Sequence, residues 1–291
     1  MNIALKSVLC LIAILVGSVT EGLPVDSVIA FSLIVVFGIP HGATDHILNN
    51  FIQNKEIDGK PSIAFLTKYL LVIALYGLLW VLLPSLSLLI FLTISAFHFC
   101  EAQFQMIRTN VVLKYTASFS WGVAALAILL FTKASALSLL IVPHLISEDV
   151  MQVLIEYRLF LVSASIALAL GLSLVISPRM FIKELIELGL LFTIALNTSL
   201  LFAFATFFAF WHSRDAVAHQ LSLLKPVKLD LKTWIKLATP YSLMSVFGIG
   251  MMLILFGYTS TDFPLVTAFF VLVALITLPH VIVMSTFYRR A

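Results

Sequence analysis

Apolar runs of about 18 or more residues recur along the whole chain, and this feature constrains its fold most. A transmembrane helix needs about 20 consecutive apolar residues. Only 11% of the residues are charged, against about 25% in a typical soluble domain, so the chain cannot surround itself with a charged shell. The sequence therefore predicts an integral membrane protein and excludes a soluble enzyme, a disordered chain and a nucleic-acid-binding protein.

Helices are favoured over a β-barrel, because barrel strands alternate polar and apolar residues and this chain does not. We predict an all-α, polytopic helical bundle of about ten transmembrane helices, within a range of 8–10, in a single domain that covers residues 1–291. The predicted spans are 3–20, 27–52, 62–83, 86–106, 112–132, 157–176, 180–195, 198–222, 238–258 and 264–288.

Lysine and arginine are concentrated in every second connection between the predicted spans. The connection after the eighth span carries several lysines, among them Lys225 and Lys232, whereas the connection Leu83-Pro84-Ser85 carries none. By the positive-inside rule both termini are cytoplasmic, which requires an even number of spans. We expect a multi-pass protein of the cell (plasma) membrane.

Four of the seven histidines lie within even-numbered spans, about one helical turn or less from a common depth. They are His41, His98, His212 and His280. An imidazole inside a membrane is costly unless it faces the bundle interior and has partners. A single buried histidine is commonly a hydrogen-bonded structural residue, but a shared transition-metal ion explains four at one depth. These four residues are therefore candidate metal ligands and catalytic residues.

Three of these histidines are followed by a carboxylate about one helical turn later. The pairs are His41 and Asp45, His98 and Glu101, and His212 and Asp215. Residues three or four apart share a helix face, and a metal-bound histidine usually donates its second ring N–H to a carboxylate or carbonyl. We predict that these acids orient the ligands. Two alternatives remain open: charges at helix ends near the interface, or additional ligands, as in di-metal helical bundles.

The sequence around these histidines suggests local distortion and an apolar binding site. Pro40 and Pro279 directly precede His41 and His280, and a mid-helix proline bends a helix. Such a bend directs the imidazole towards a cavity or only shapes the bundle. The chain contains 24 phenylalanines, which suit either ordinary packing or an aromatic-walled tunnel for a long apolar ligand.

Four stretches around these histidines resemble the Brp/Blh family of membrane β-carotene 15,15′-dioxygenases in order, spacing and total length. The stretches are Gly38-Ile39-Pro40-His41-Gly42-Ala43-Thr44-Asp45-His46, Phe97-His98-Phe99, Phe210-Trp211-His212-Ser213-Arg214 and Leu278-Pro279-His280. The resemblance implies an iron-dependent, polytopic membrane enzyme. Such an enzyme splits β-carotene at its central double bond with O2 and yields two retinal molecules, which serve a microbial rhodopsin.

By the same resemblance, His41, His98 and His212 map onto the iron-ligand histidines, and Fe(II) is the implied cofactor. The family motif resembles WHSxRH, but Ala216 occupies the place of its second histidine here. By depth in the membrane we predict His280 as the fourth ligand, with His219 as the alternate. His46 and His144 are less well placed.

We therefore predict an iron-dependent carotenoid dioxygenase that takes an apolar polyene from the lipid bilayer and uses O2. Asp45, Glu101 and Asp215 are expected to orient the histidine ligands. The alternatives are a divergent family member that acts on another apolar polyene, a proton or metal-ion transporter lined by histidines and acids, and a structural or assembly subunit.

Overall fold

The computed structural model describes residues 3–57, 59–104, 107, 109–133, 146–227, 229–259 and 265–290. These residues are mostly helical and contain no strand, so the predicted all-α class is confirmed for them. The α-helices are α1 (Ile3–Thr20), α2 (Pro24–Leu33), α3 (Ile39–Gly42), α4 (Asp45–Ile52), α5 (Ile63–Leu82), α6 (Pro84–Phe104), α7 (Val111–Phe131), α8 (Glu148–Glu156), α9 (Arg158–Ile176), α10 (Pro178–Asn197), α11 (Leu200–Phe207), α12 (Arg214–Leu223), α13 (Leu231–Thr259) and α14 (Leu265–Arg290).

Among the described residues, seven helical segments are long and apolar enough to cross a membrane. They are Ile3–Thr20, Pro24–Ile52, Ile63–Leu82, Pro84–Glu101, Val111–Phe131, Arg158–Ile176 and Phe270–Arg290. The other three predicted spans, 180–195, 198–222 and 238–258, are also helical. The chain is thus a membrane protein, whereas the count of ten spans and the orientation of the termini stay predictions.

Many of these helices expose large apolar side chains, which is the reverse of a soluble surface. Leu15 and Val19 on α1 are 68% and 77% exposed, and Val81 on α5 is 79% exposed. Exposed apolar side chains in such number are stabilised by contact with lipid. The exposed faces therefore support the assignment to a membrane.

Helix ends follow local sequence signals. Prolines occupy the first turns of α2, α6 and α10, where a missing N–H breaks no helical hydrogen bond. Side-chain oxygens of Ser62, Asn110 and Ser199 accept backbone N–H groups at the starts of α5, α7 and α11. These caps fix the helix boundaries within a few residues of those expected from the apolar runs.

Two π-helical turns interrupt the α-helical pattern, at Ile34–Gly38 and Phe208–Ser213. The first ends directly before α3, which carries His41, and the second contains His212. π-Turns are rare and frequently occur at functional sites. The positions of both turns therefore support a functional role for His41 and His212.

The chain forms two compact units. Unit 1 comprises Met1–Ile34 and Ser95–Asp215, and unit 2 comprises Val35–Ile94 and Ala216–Ala291. The prediction of a single domain over residues 1–291 stays a prediction.

Unit 1 is centred on α7, which packs against α9 and α10. Its inner face is lined by small residues around the fully buried Trp121. A Cβ atom at Gly122 would overlap the backbone carbonyl oxygen of Ala96 on α6, so only glycine permits this close approach of two helices. Elsewhere in this unit α1 packs on α10, and α2 packs on α11.

Unit 2 is organised around α14, which packs against α4, α5 and α13. One apolar cluster joins Ile47 and Leu48 of α4 to Met284 and Phe287 of α14. A second cluster joins Tyr76 of α5 to Ala274 of α14. Packing on both sides of α14 therefore fixes the position of His280 within this unit.

Candidate metal centre: two buried histidine pairs

Unit 2 contains a pair of buried histidines, His41 on α3 and His280 on α14. Their Nε2 atoms lie 3.0 Å apart, and the two rings meet edge to face at 86°. Each histidine follows a proline, as the sequence indicated, and Pro279 lies inside α14 without ending the helix. The pair therefore brings together two ring nitrogens from residues 239 positions apart in the chain.

Asp45 holds His280 in place. One carboxylate oxygen lies 2.7 Å from Nδ1 of His280, and the other accepts a hydrogen bond of 3.0 Å from the hydroxyl of Tyr69. A carboxylate at Nδ1 fixes the proton on that nitrogen and leaves the lone pair on Nε2. The sequence spacing paired Asp45 with His41, but in the structure Asp45 accepts a hydrogen bond from His280.

Gln220 lies beside the other member of the pair. Its side-chain amide nitrogen is 3.3 Å from Nδ1 of His41 and 3.2 Å from the sulfur of Met284, and the residue is fully buried. A histidine that binds a metal through Nε2 carries its proton on Nδ1. As placed, the amide nitrogen of Gln220 faces Nδ1 of His41; with the amide group turned over, its oxygen would accept a hydrogen bond from Nδ1–H.

The donor set of this pair fits a transition-metal ion. Imidazole nitrogens bind such ions at about 2.0–2.1 Å, and at that distance ligands 3.0 Å apart subtend an angle of about 90°. Neighbouring ligands of one transition-metal ion can adopt such an angle, and imidazole suits several of these metals, iron among them. Two buried imidazoles whose Nε2 atoms face each other, one of them supported by a carboxylate, therefore meet the requirements for two ligands of one ion.

Unit 1 contains the second pair, His98 on α6 and His212 in the π-turn. Their ring centroids are 4.8 Å apart, and their ligand nitrogens lie within 4.8 Å of one another. Both rings are buried. Glu101 follows His98 by one turn on the same helix, with an oxygen 3.6 Å from Nδ1, which exceeds hydrogen-bond length. The side chains of His98 and Glu101 are therefore neighbours on one helix, as their spacing predicts.

Phenylalanines surround the unit 1 pair. The ring of Phe208 stacks on His212 with centroids 5.1 Å apart, and Phe99 contacts the same imidazole at 4.9 Å. Phe99 also meets Phe204 and Phe207 edge to face. The phenylalanines that flank these histidines in the sequence therefore form one aromatic cluster, named here the phenylalanine cluster (Phe99, Phe204, Phe207 and Phe208).

Asp215 lies in a buried charge network that the sequence did not indicate. The ammonium group of Lys6 on α1 is 3.0 Å from Asp215 and 3.1 Å from Glu187 on α10. It also lies 5.4 Å from the ring centroid of Trp211, the neighbour of His212. Lys6 is 2% exposed and Glu187 is fully buried. Asp215, predicted to orient His212, forms ion pairs with Lys6 and Arg214.

The remaining histidines lie against tyrosines. His219 stacks on Tyr288 with centroids 5.1 Å apart, and His46 lies 4.3 Å from the ring of Tyr241. His144 lies outside the described residues. Within unit 2, it is therefore His280 that adjoins His41.

Comparison with known proteins identifies the class of enzyme as a carotenoid dioxygenase. A family model described as Beta-carotene 15,15′-dioxygenase matches residues 32–288, and the chain belongs to this family. A curated relative from uncultured marine bacterium 66A03, named Beta-carotene 15,15′-dioxygenase, is 27% identical over 267 residues, or 89% of this chain and 93% of the relative. No solved structure matches the chain. The family and enzyme class predicted from the sequence are confirmed.

Proposed function

We propose that this protein cleaves β-carotene at its central 15,15′ double bond with O2. One carbon–carbon double bond is broken and each oxygen atom ends in a new aldehyde, so one β-carotene and one O2 give two retinal molecules. Family membership supports this reaction. The named relative, which spans most of the chain, supports it further.

The two histidine pairs are proposed to hold one Fe(II) ion through His41, His98, His212 and His280. The observation that carries this proposal is the 3.0 Å separation of the Nε2 atoms of His41 and His280, with Asp45 on the far nitrogen of His280. Four neutral imidazoles satisfy iron and leave coordination positions for O2. His219 is the alternate fourth ligand, but its stacking on Tyr288 favours His280.

The protein's own residues would position the reactants. The iron, when bound, supplies the binding and activation of O2. Asp45 holds the ring of His280 and its proton on Nδ1, and Glu101 gives His98 a neighbouring negative charge. The phenylalanine cluster around His212 offers an apolar, aromatic surface against which a polyene can lie. Burial of both histidine pairs excludes water from the reacting atoms.

The membrane supplies the substrate in this proposal. β-Carotene partitions into the hydrocarbon core, and the exposed apolar helices support a location of the enzyme in the same layer. We further propose a plasma-membrane protein of ten spans and a single domain, with both termini in the cytoplasm. The retinal product would serve a microbial rhodopsin.

Expression in a cell that accumulates β-carotene tests the reaction. Wild-type protein should bleach the pigment and produce retinal in a 2:1 ratio to the β-carotene consumed. The His41→Asn and His98→Asn variants should leave the pigment intact and contain little iron. The His46→Asn variant is the matched control, because it removes another imidazole from the same stretch, one that lies against Tyr241 and not in either histidine pair.

The outcome separates the proposal from its alternatives. Loss of another added polyene, with β-carotene untouched, would indicate a divergent substrate. Ion flux into vesicles that requires His41 and His98, without pigment cleavage, would indicate a transporter. Iron-loaded protein that neither cleaves a polyene nor moves ions would refute both activities.

A further inference from the structure

A continuous chain of polar contacts runs through unit 2 from α5 to the histidine pair. Tyr69 on α5 donates its hydroxyl to Oδ2 of Asp45 at 3.0 Å. Oδ1 of Asp45 lies 2.7 Å from Nδ1 of His280, whose Nε2 lies 3.0 Å from Nε2 of His41. Each link is within hydrogen-bond distance, so four side chains from four helices form one line.

We propose that Tyr69 is a positioning residue for the metal centre: it fixes the carboxylate of Asp45 and thereby the orientation and tautomer of His280. This inference rests on the proposed role of His280 as a metal ligand. Tyr69 lies 24 residues from Asp45 and takes no part in the motifs around the histidines.

The direction of the hydrogen bonds supports this role. An ionised carboxylate only accepts, so both Tyr69 O–H and His280 Nδ1–H donate to Asp45. With its proton held on Nδ1, His280 presents the lone pair of Nε2 on the side that faces His41. A metal-ligating histidine requires this tautomer.

Anchoring Asp45 at both oxygens also limits its rotation. Asp45 is 3% exposed, and a buried carboxylate oxygen without a donor is costly. Without the Tyr69 hydroxyl, Oδ2 lacks its donor from α5, and the carboxylate is free to turn away from its present plane. His280 then loses part of the support that holds its ring in place.

Tyr76 provides a matched control on the same helix. It lies seven residues after Tyr69, is buried, and donates its hydroxyl to the backbone carbonyl of Ser87 at 2.8 Å. The Tyr69→Phe and Tyr76→Phe variants each remove one hydroxyl and one hydrogen bond from α5. Only the former removes a contact to the line of side chains that ends at the histidine pair.

The experiment loads the full-length wild type and both variants with Fe(II), and separately with Co(II), under anaerobic conditions. Metal loss to a chelator is timed, and the visible spectrum of bound Co(II) reports the ligand geometry. We expect Tyr69→Phe to release metal about 10-fold faster and to shift the Co(II) bands, since loss of such outer contacts typically costs about 10–100-fold in affinity. Tyr76→Phe should match the wild type.

The readouts distinguish this inference from the proposed reaction. Equal metal release and equal spectra for Tyr69→Phe and wild type would overturn the positioning role, whether or not β-carotene is cleaved. Equal defects in both variants would overturn it too, because they would indicate a general weakening of α5. Metal binding that depends on Tyr69 in a protein without β-carotene cleavage would support the inference and refute the reaction.

Discussion

Replacing Lys6 with methionine should destabilise the protein by about 3 kcal/mol, because it breaks a buried ion pair. Removal of one partner from a buried pair typically costs about 3–5 kcal/mol, through the charge left without compensation. Methionine keeps the apolar length of the side chain, so little packing is lost. Glu187, which is fully buried, bears most of the cost, whereas the side chain of Asp215 is 18% exposed.

We take the lower end of the destabilisation range, about 3 kcal/mol, because a second cation lies near Glu187. Lys183 lies 3.8 Å from Glu187 and is 37% exposed, so it offsets part of the lost charge from the edge of the network. About 3 kcal/mol corresponds to a change of roughly 100-fold in the equilibrium constant for unfolding.

Reversible unfolding in mixed detergent micelles, followed by tryptophan fluorescence, measures this difference. The double variant Lys6→Met with Glu187→Gln should recover most of the stability, because it removes the uncompensated carboxylate as well. The control is Lys133→Met, which breaks the exposed ion pair with Glu21 and should cost less than about 1 kcal/mol. A Lys6→Met variant as stable as Lys133→Met, or a double variant no better than the single one, would refute the reasoning.

Two further predictions concern the fourth ligand and the packing of unit 1. His280→Asn should abolish stoichiometric iron binding and His219→Asn should retain it, as measured by metal analysis of purified protein; the opposite result would assign the ligand to His219. Gly122→Ala should lower the midpoint of detergent unfolding, because the new methyl group meets the carbonyl of Ala96. Gly189→Ala, in α10 with open space around it, should leave stability equal or raise it by up to about 1 kcal/mol; equal losses in both variants would contradict the close approach.

The membrane fold follows from the sequence because its signal is local and strong. Apolar runs, first-turn prolines and serine or asparagine caps are read from neighbouring residues, and helices form close to the predicted bounds. The two π-turns could not be predicted, since they depend on tertiary packing rather than on a residue pattern.

The carboxylates show where spacing rules hold and where they fail. His98 and Glu101 share the uninterrupted helix α6, and their side chains are neighbours as predicted. Between His41 and Asp45, however, α3 ends and α4 begins, so the rule for a single helix face does not apply and Asp45 meets His280. A turn of two residues thus redirected the carboxylate.

Contacts between residues far apart in the chain could not be predicted from the sequence. Tyr69 and Gln220 are ordinary polar residues, and nothing local connects them to a histidine on another helix. Lys6 pairs with a glutamate 181 residues away and lies before the segment matched by the family model. In the sequence, the feature that points to this network is a lysine, Lys6, within the otherwise apolar first helix.

The π-turn at Phe208–Ser213 makes chain length itself part of the site. Each residue of an α-helix adds about 100° of rotation and about 1.5 Å of rise. A π-turn accommodates one residue more than an α-helical turn, so deletion of one residue between Phe204 and His212 would restore the regular helix and swing the imidazole away from Phe208. Among relatives of this protein, a gap of a single residue at this point would signal an altered centre rather than a neutral difference in length.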